Sequence, residues 1–158
     1  MTAGETAHLI FATLSQELAF MKQKILYLIT GPAGAGKTTR AKELMREKGI
    51  KHHYEADMLM IDNNGDYCFN YKKLGECHNW CQKSTEKAMQ LSEAVIVSNT
   101  TLNKKQAQPY IHLAKQYGYT VHIEHLTTLF KSIHGVPEET LQKMIKLREF
   151  FTIEDFDN

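Results

Sequence analysis

No apolar run in these 158 residues approaches the roughly 18 that a membrane-spanning helix needs, so the sequence carries no expectation of a membrane. Cysteine is scarce. Three residues, an odd number, point away from a disulfide framework and towards reduced thiols in an intracellular compartment, the cytoplasm first with the nucleus left open. The first twenty residues lack a basic segment and a small-residue cleavage site and carry Glu5 and Glu17, a poor secretory leader. Internal repeats, low-complexity tracts and Pro/Ser-rich linkers are missing too. So is a charge excess of either sign: a formal +1 neither demands nor excludes a polyanionic partner. A hydrophobic fraction of 42% beside 23% charged residues is ordinary for one globular domain with a real core.

What is present is concentrated in Gly31, Pro32, Ala33, Gly34, Ala35, Gly36, Lys37 and Thr38, with Thr39 after them. The stretch fits the phosphate-binding loop G-x-x-x-x-G-K-[ST] without a mismatch. Glycines let the backbone turn through positive φ and leave no Cβ in the way of a phosphate. Successive N–H groups then form an anion nest backed by the positive end of the next helix. Lys37 is placed to reach the β- and γ-phosphates and Thr38 to ligate Mg²⁺. An apolar run at residues 24–30 reads as a strand before the loop, and residues 38–48, stopped by Gly49, read as a helix after it. This order predicts binding of ATP with Mg²⁺ and leaves the acceptor open.

The rest of the chain alternates in the same way. Residues 8–20 suggest an amphipathic helix ahead of the core, an extension over 1–20 that packs on the core or serves self-association, with the phosphate-loop domain over 21–158. Strands are expected at 51–56, 93–98 and 119–124, and helices at 72–91, 104–117 and from Pro137 to about residue 151. Strands alternating with helices predict an α/β fold, a parallel sheet of four to five strands with right-handed crossovers and a small lid at residues 127–135. Ligands on such sheets bind at the carboxyl ends of the strands, where Asp57 and Asn99 fall.

Phosphoryl transfer needs an acceptor hydroxyl held in line with its proton accepted as the bond forms, and Asp57 suits the general base; a solvated loop acid or helix cap is the plainer alternative. Asn99 stands where many phosphate-loop enzymes carry an Asp that holds Mg²⁺ through water; it can orient a water without adding charge, or simply form a polar turn. Lys131 and His134 sit in the polar excursion, where a cationic lid would neutralise transition-state charge, unless both are merely solvated. Cys77, His78 and Cys81 share a helix but fall short of a four-ligand zinc site, so core packing is the expectation. His52, His53, His122 and His125 read as structural or surface residues.

Read together, the phosphate loop, Glu55-Ala56-Asp57, Tyr67-x-Phe69-Asn70, Leu74-Gly75-Glu76-x-His78-x-Trp80, Val95-Ile96-Val97-Ser98-Asn99-Thr100, Tyr117-Gly118-Tyr119-x-Val121, His134-Gly135-Val136-Pro137 and Arg148 form an ordered series. The chain resembles the 5′-polynucleotide kinase domain family, the phage enzyme and its eukaryotic polynucleotide-kinase-like relatives, from about residue 21 to residue 151. The resemblance implies transfer of the ATP γ-phosphate to a 5′-hydroxyl at a DNA or RNA end. It makes Asp57 the base and Lys37 the phosphate clamp. Lys131 becomes the lid cation, with His134 beside the nucleotide. Three positions depart from the family pattern: Met60 for an Arg, Asn99 for an Asp, and Lys131-Ser132 for an Arg-Asn pair. A kinase of nucleotides or other small molecules, or an ATP-binding protein with weak or no transfer activity, therefore stands beside the polynucleotide kinase reading.

Overall fold

The computed structural model describes residues 2–21, 23–130 and 135–157, without the side chains of residues 19–21. Four strands form the sheet: β1 (Ile25–Thr30), β2 (His52–Tyr54), β3 (Ala94–Val97) and β4 (Thr120–His125). All pairings are parallel, in the order β2-β3-β1-β4, with Tyr27 of β1 level with Ile96 of β3 and His122 of β4. Helices α2 (Lys37–Lys48), α3 (Leu74–Leu91) and α4 (Lys104–Tyr117) make the crossovers. Helix α1 (Ala3–Met21) precedes the sheet and α5 (Glu138–Leu147) follows it. This is the α/β architecture that the alternating pattern predicts.

The two-residue period of β1 sorts its side chains between two cores. Leu26 and Leu28 pack with Val95 and Val97 against α3 and α4. Tyr27 and Ile29, with Ile96, face Ala41 and Leu44 of α2 instead. Burial of each large aliphatic side chain contributes about 1.5–3 kcal/mol, and β1 and β3 are buried nearly end to end because both faces of the sheet are covered. The chain leaves β1 in one direction across the sheet, to β2, and returns through β3 to β4. A right-handed crossover reverses its face when it reverses direction, so α2 lies opposite α3 and α4. The phosphate loop lies where β1 hands the chain to α2.

Two elements are shorter than their sequence pattern suggests. β2 ends at Tyr54 because Ala56–Leu59 coil into a 3-10 turn, whose first N–H is claimed by the Asn99 side chain. α5 ends at Leu147, before residue 151, because the following residues run extended and bring Phe151 into the core at 2% exposure. The Phe151 ring meets Phe156 edge-on at 5.7 Å, and Glu149 N–H donates to the Leu102 carbonyl at 2.6 Å. Phe156 belongs to a further 3-10 turn, Ile153–Phe156, closed by a reciprocal cap between Thr152 and Asp155, which the sequence pattern did not suggest. On α1, the side chains of residues 3–18 are all exposed, the apolar Leu9, Ile10, Phe11, Leu14 and Leu18 among them. None of the helices among the described residues is long and apolar enough to cross a membrane.

Candidate active site

The loop from Gly31 to Thr38 closes on positive-φ glycines. Gly36 caps α2 at φ 85°, a conformation costly for any residue with a Cβ, and a Cβ there would come within 3.2 Å of the Phe130 ring. No side chain caps the helix at this position, so its first N–H groups remain available to an anion. The chain after β4 lies against the loop: Leu126 N–H donates to the Thr30 carbonyl at 2.9 Å and Phe130 N–H to the Gly34 carbonyl at 2.7 Å. The expected lid therefore starts on the loop itself. Lys131 and His134 lie outside the described residues. Thr39 lines a shallow groove with Lys42, Met45 and Arg46 of α2.

Lys37 folds back over the loop and donates from Nζ to the Pro32 carbonyl at 2.8 Å. Burial pulls its ammonium down to about 8, against the upward pull of the Glu55 and Asp57 carboxylates. A cation held at this cost is one that a triphosphate would relieve.

Asp57 is exposed, in the 3-10 turn at the end of β2. Beyond Lys37, its charge reaches Tyr67 and Cys77, both held above their usual range chiefly by burial. The turn is braced from β3, since Ala56 N–H donates to Asn99 Oδ1 at 2.7 Å and Met60 N–H to the Asp57 carbonyl at 2.9 Å. Base candidate and phosphate clamp, remote in sequence, thus share one electrostatic site.

Asn99 does not take the water-orienting place its position suggested. It is 5% exposed; its Oδ1 serves Ala56, and its Nδ2 donates to Tyr110 OH at 2.9 Å and Cys81 Sγ at 3.4 Å. Both ends of the amide are spent inside the core, which makes it a brace beneath the Asp57 turn. Cys77 and Cys81 are likewise core residues, and no three or more His, Cys, Asp or Glu side chains are grouped to hold an ion among the described residues. Met60 is also turned inward, at 2% exposure.

Glu55 is the residue that reading the chain passed over. Its side chain is only 14% exposed, and Ser98 Oγ donates to Oε1 at 2.6 Å with His53 Nε2 3.2 Å away. Burial alone would raise its carboxyl, but hydrogen bonds from His53, Ser98 and the Thr38 hydroxyl hold it below the ordinary value. The signal was present as a second carboxylate two residues before Asp57 at the end of a strand. The Thr38 hydroxyl and a carboxylate form an oxygen donor set suited to Mg²⁺ carried mainly by phosphates.

His125 ties the loop to the C-terminal segment. Its Nε2 donates to the Phe151 carbonyl at 2.7 Å, and its Nδ1 lies 2.7 Å from the Thr30 hydroxyl. Arg40 Nε donates to Glu124 Oε1 at 2.7 Å and joins α2 to β4 on the other side of the loop.

A family model described as an AAA domain matches residues 26–150. Human NEDD4-binding protein 2 is 29% identical over 132 residues, 77% of this chain and 7% of its own length. The Pasteurella multocida (strain Pm70) protein named Uncharacterized protein PM0531 is 25% identical over 132 residues, 75% of this chain and 73% of that one. The chain thus spans a small part of the human relative. A chain in the structure of the Pnkp1/Rnl/Hen1 complex superposes with a TM-score of 0.55 at 18% identity, covering 77% of this chain and 39% of that one. A gluconokinase from Sinorhizobium meliloti 1021 gives 0.54 at 16% identity, with 82% and 76% covered. These likenesses establish a P-loop kinase-like fold.

Proposed function

The chain belongs to the AAA-domain family, with a phosphate-binding loop on a P-loop kinase-like fold, and from that premise we propose that it phosphorylates the 5′-hydroxyl of a DNA or RNA end with Mg·ATP. In this reading the acceptor oxygen bonds to the γ-phosphorus and its bond to the β,γ-bridging oxygen breaks. The acceptor's proton passes to Asp57, and ADP departs with the electron pair. Lys37 and the loop N–H groups bind the phosphates and stabilise the charge that develops on them. A bound Mg²⁺ would supply further neutralisation of the β- and γ-oxygens.

The observation that carries this reading is the shared electrostatic site of Lys37 and Asp57, phosphate clamp at the start of α2 and proton acceptor in the 3-10 turn after β2. A polynucleotide acceptor draws support from the residues beside Asp57. Phe69 and Tyr71 are exposed, next to Lys72 and Lys73, on a segment pinned back to the Asp57 turn by Cys68 N–H donating to the Met60 carbonyl at 2.7 Å. Exposed rings interleaved with cations suit the stacking of bases at a strand end. A small-molecule acceptor is the second reading, favoured by a gluconokinase superposing as well as the Pnkp1 complex does.

Incubation with γ-labelled ATP and 5′-hydroxyl oligonucleotides of DNA and RNA, beside Asp57→Asn, tests the proposal. Label on the oligonucleotide that disappears in the variant supports it. Transfer to gluconate or mononucleotides alone supports the second reading, and tight ATP binding with no acceptor labelled rejects both.

A further inference from the structure

Helix α1 belongs to neither core, and the side chains of residues 3–18 are all exposed. We propose that α1 is a self-association surface whose occupant is the same helix of a second copy of this chain. The inference is independent of the phosphate loop and of what it transfers.

A helix of 19 residues is marginal in water by itself, because most helical stability in proteins comes from packing an apolar face. The start of α1 is fixed locally. Thr2 N–H donates to Glu5 Oε2 at 2.6 Å and Glu5 N–H to Thr2 Oγ1 at 3.3 Å, a reciprocal cap. The apolar face that follows has no cover among the described residues. Ala7, Phe11, Leu14 and Leu18 recur at steps of four, three and four, and Gly4 and Met21 continue those steps in the sequence. Heptad spacing of this kind lets two helices present one continuous seam to each other. Ile10 flanks the seam, one turn before Leu14, whereas Leu9 is turned to the opposite side.

Size and charge both favour a second copy. Ile10, Phe11, Leu14 and Leu18 are each 51–74% exposed. With Ala7 they present on the order of 500 Å² of apolar surface, so two copies meeting there bury about 1,000 Å², the lower bound of a specific interface. Residues 1–21 contain no Lys or Arg, and their two acids, Glu5 and Glu17, fall outside the seam. Pairing two identical helices therefore buries no charge. A charged partner finds little on this face to pair with. A helix that lies on an anionic membrane surface carries cations on its polar face, and α1 has none. An apolar, nearly uncharged face is complementary to itself, and two-fold pairing sets the seam of one copy against the same seam of the other.

Sedimentation velocity of the full chain across the micromolar range tests the proposal. The wild type is expected to pass from monomer to dimer as its concentration rises. Phe11→Asp combined with Leu18→Asp puts charge into the seam and is expected to stay monomeric while keeping a cooperative thermal transition. Thr13→Asp combined with Gln16→Asp adds the same charge to the opposite face and is expected to dimerise as the wild type does. Should the seam variant fail to fold, Leu14→Ala is expected to raise the dissociation constant about 10-fold. A wild type that is monomeric throughout overturns the proposal, and so does a seam variant that dimerises normally. Equal loss of the dimer in the Thr13 and Gln16 variant overturns the assignment to this face. A monomeric wild type that co-sediments with vesicles of anionic phospholipid gives the face to a lipid surface and overturns it as well.

Discussion

Nucleotide binding is expected to weaken as the pH rises through 8, and a proton is expected to enter with the nucleotide. Lys37 sits near 8 in the folded chain against an ordinary 10.5, because burial disfavours the ammonium more than Glu55 and Asp57 favour it. The sign follows from where each state holds the proton. Below pH 8 both folded and unfolded chains carry it, and the folded state bears the burial cost. Between 8 and 10.5 only the unfolded chain keeps it, so stability rises with pH across that window and the cost is absent above it. The gap corresponds to about 3 kcal/mol. Lys37→Met, which forfeits the Pro32 hydrogen bond worth about 1 kcal/mol, is expected to be about 2 kcal/mol more stable than wild type at neutral pH without nucleotide. That advantage disappears above pH 10.5. A bound triphosphate supplies the anion that burial withholds and restores the proton. Binding then takes up about 0.9 proton at pH 9 but about 0.1 at pH 7, and affinity falls about tenfold per unit above pH 8. Isothermal titration calorimetry in two buffers of different ionisation enthalpy measures the uptake directly. Uptake at pH 9 no greater than at pH 7, or affinity flat across that range, would refute the argument.

Asp57→Asn keeps the shape of the turn but removes the proton acceptor. Transfer is expected to fall about 10²- to 10⁴-fold in single-turnover assays with nucleotide affinity unchanged. Gly36→Ala forces a Cβ into the left-handed region at a cost of about 1–2 kcal/mol and crowds Phe130. Loss of nucleotide binding with a native circular dichroism spectrum is the expected result. Phe151→Ala opens a cavity beneath the sheet worth about 3–5 kcal/mol. Calorimetry should show its melting temperature lowered by about 6–20 °C.

The phosphate loop was legible in the sequence because its requirements are local. Positive φ needs glycine, phosphate needs backbone N–H groups and a lysine, and all of them fall within eight consecutive residues, Gly31 to Thr38. The alternation of strands and helices was legible for a similar reason, since side-chain period reports the local backbone and a buried strand reads as a continuous apolar run. Boundaries failed where distant residues decided them. Nothing near Leu147 announces that α5 stops so that Phe151 can reach His125 and Phe156, and nothing near Tyr54 announces that Asn99 will claim the next turn.

The candidate site divides along the same line. Asp57 could be singled out as a carboxylate at a strand end. Asn99, at another strand end, has a side chain pulled into the core by Cys81 and Tyr110, partners contributed by two different helices. The lowered carboxyl of Glu55 depends on Ser98 and His53 arriving from the ends of two neighbouring strands. The low proton affinity of Lys37 is a property of its surroundings and not of its residue type. By itself the sequence determined the phosphate loop and the alternation of strands and helices around it. The tertiary structure decided which way the strand-end side chains turn and how much water they keep, because burial and charge act through neighbours that only the sheet brings together.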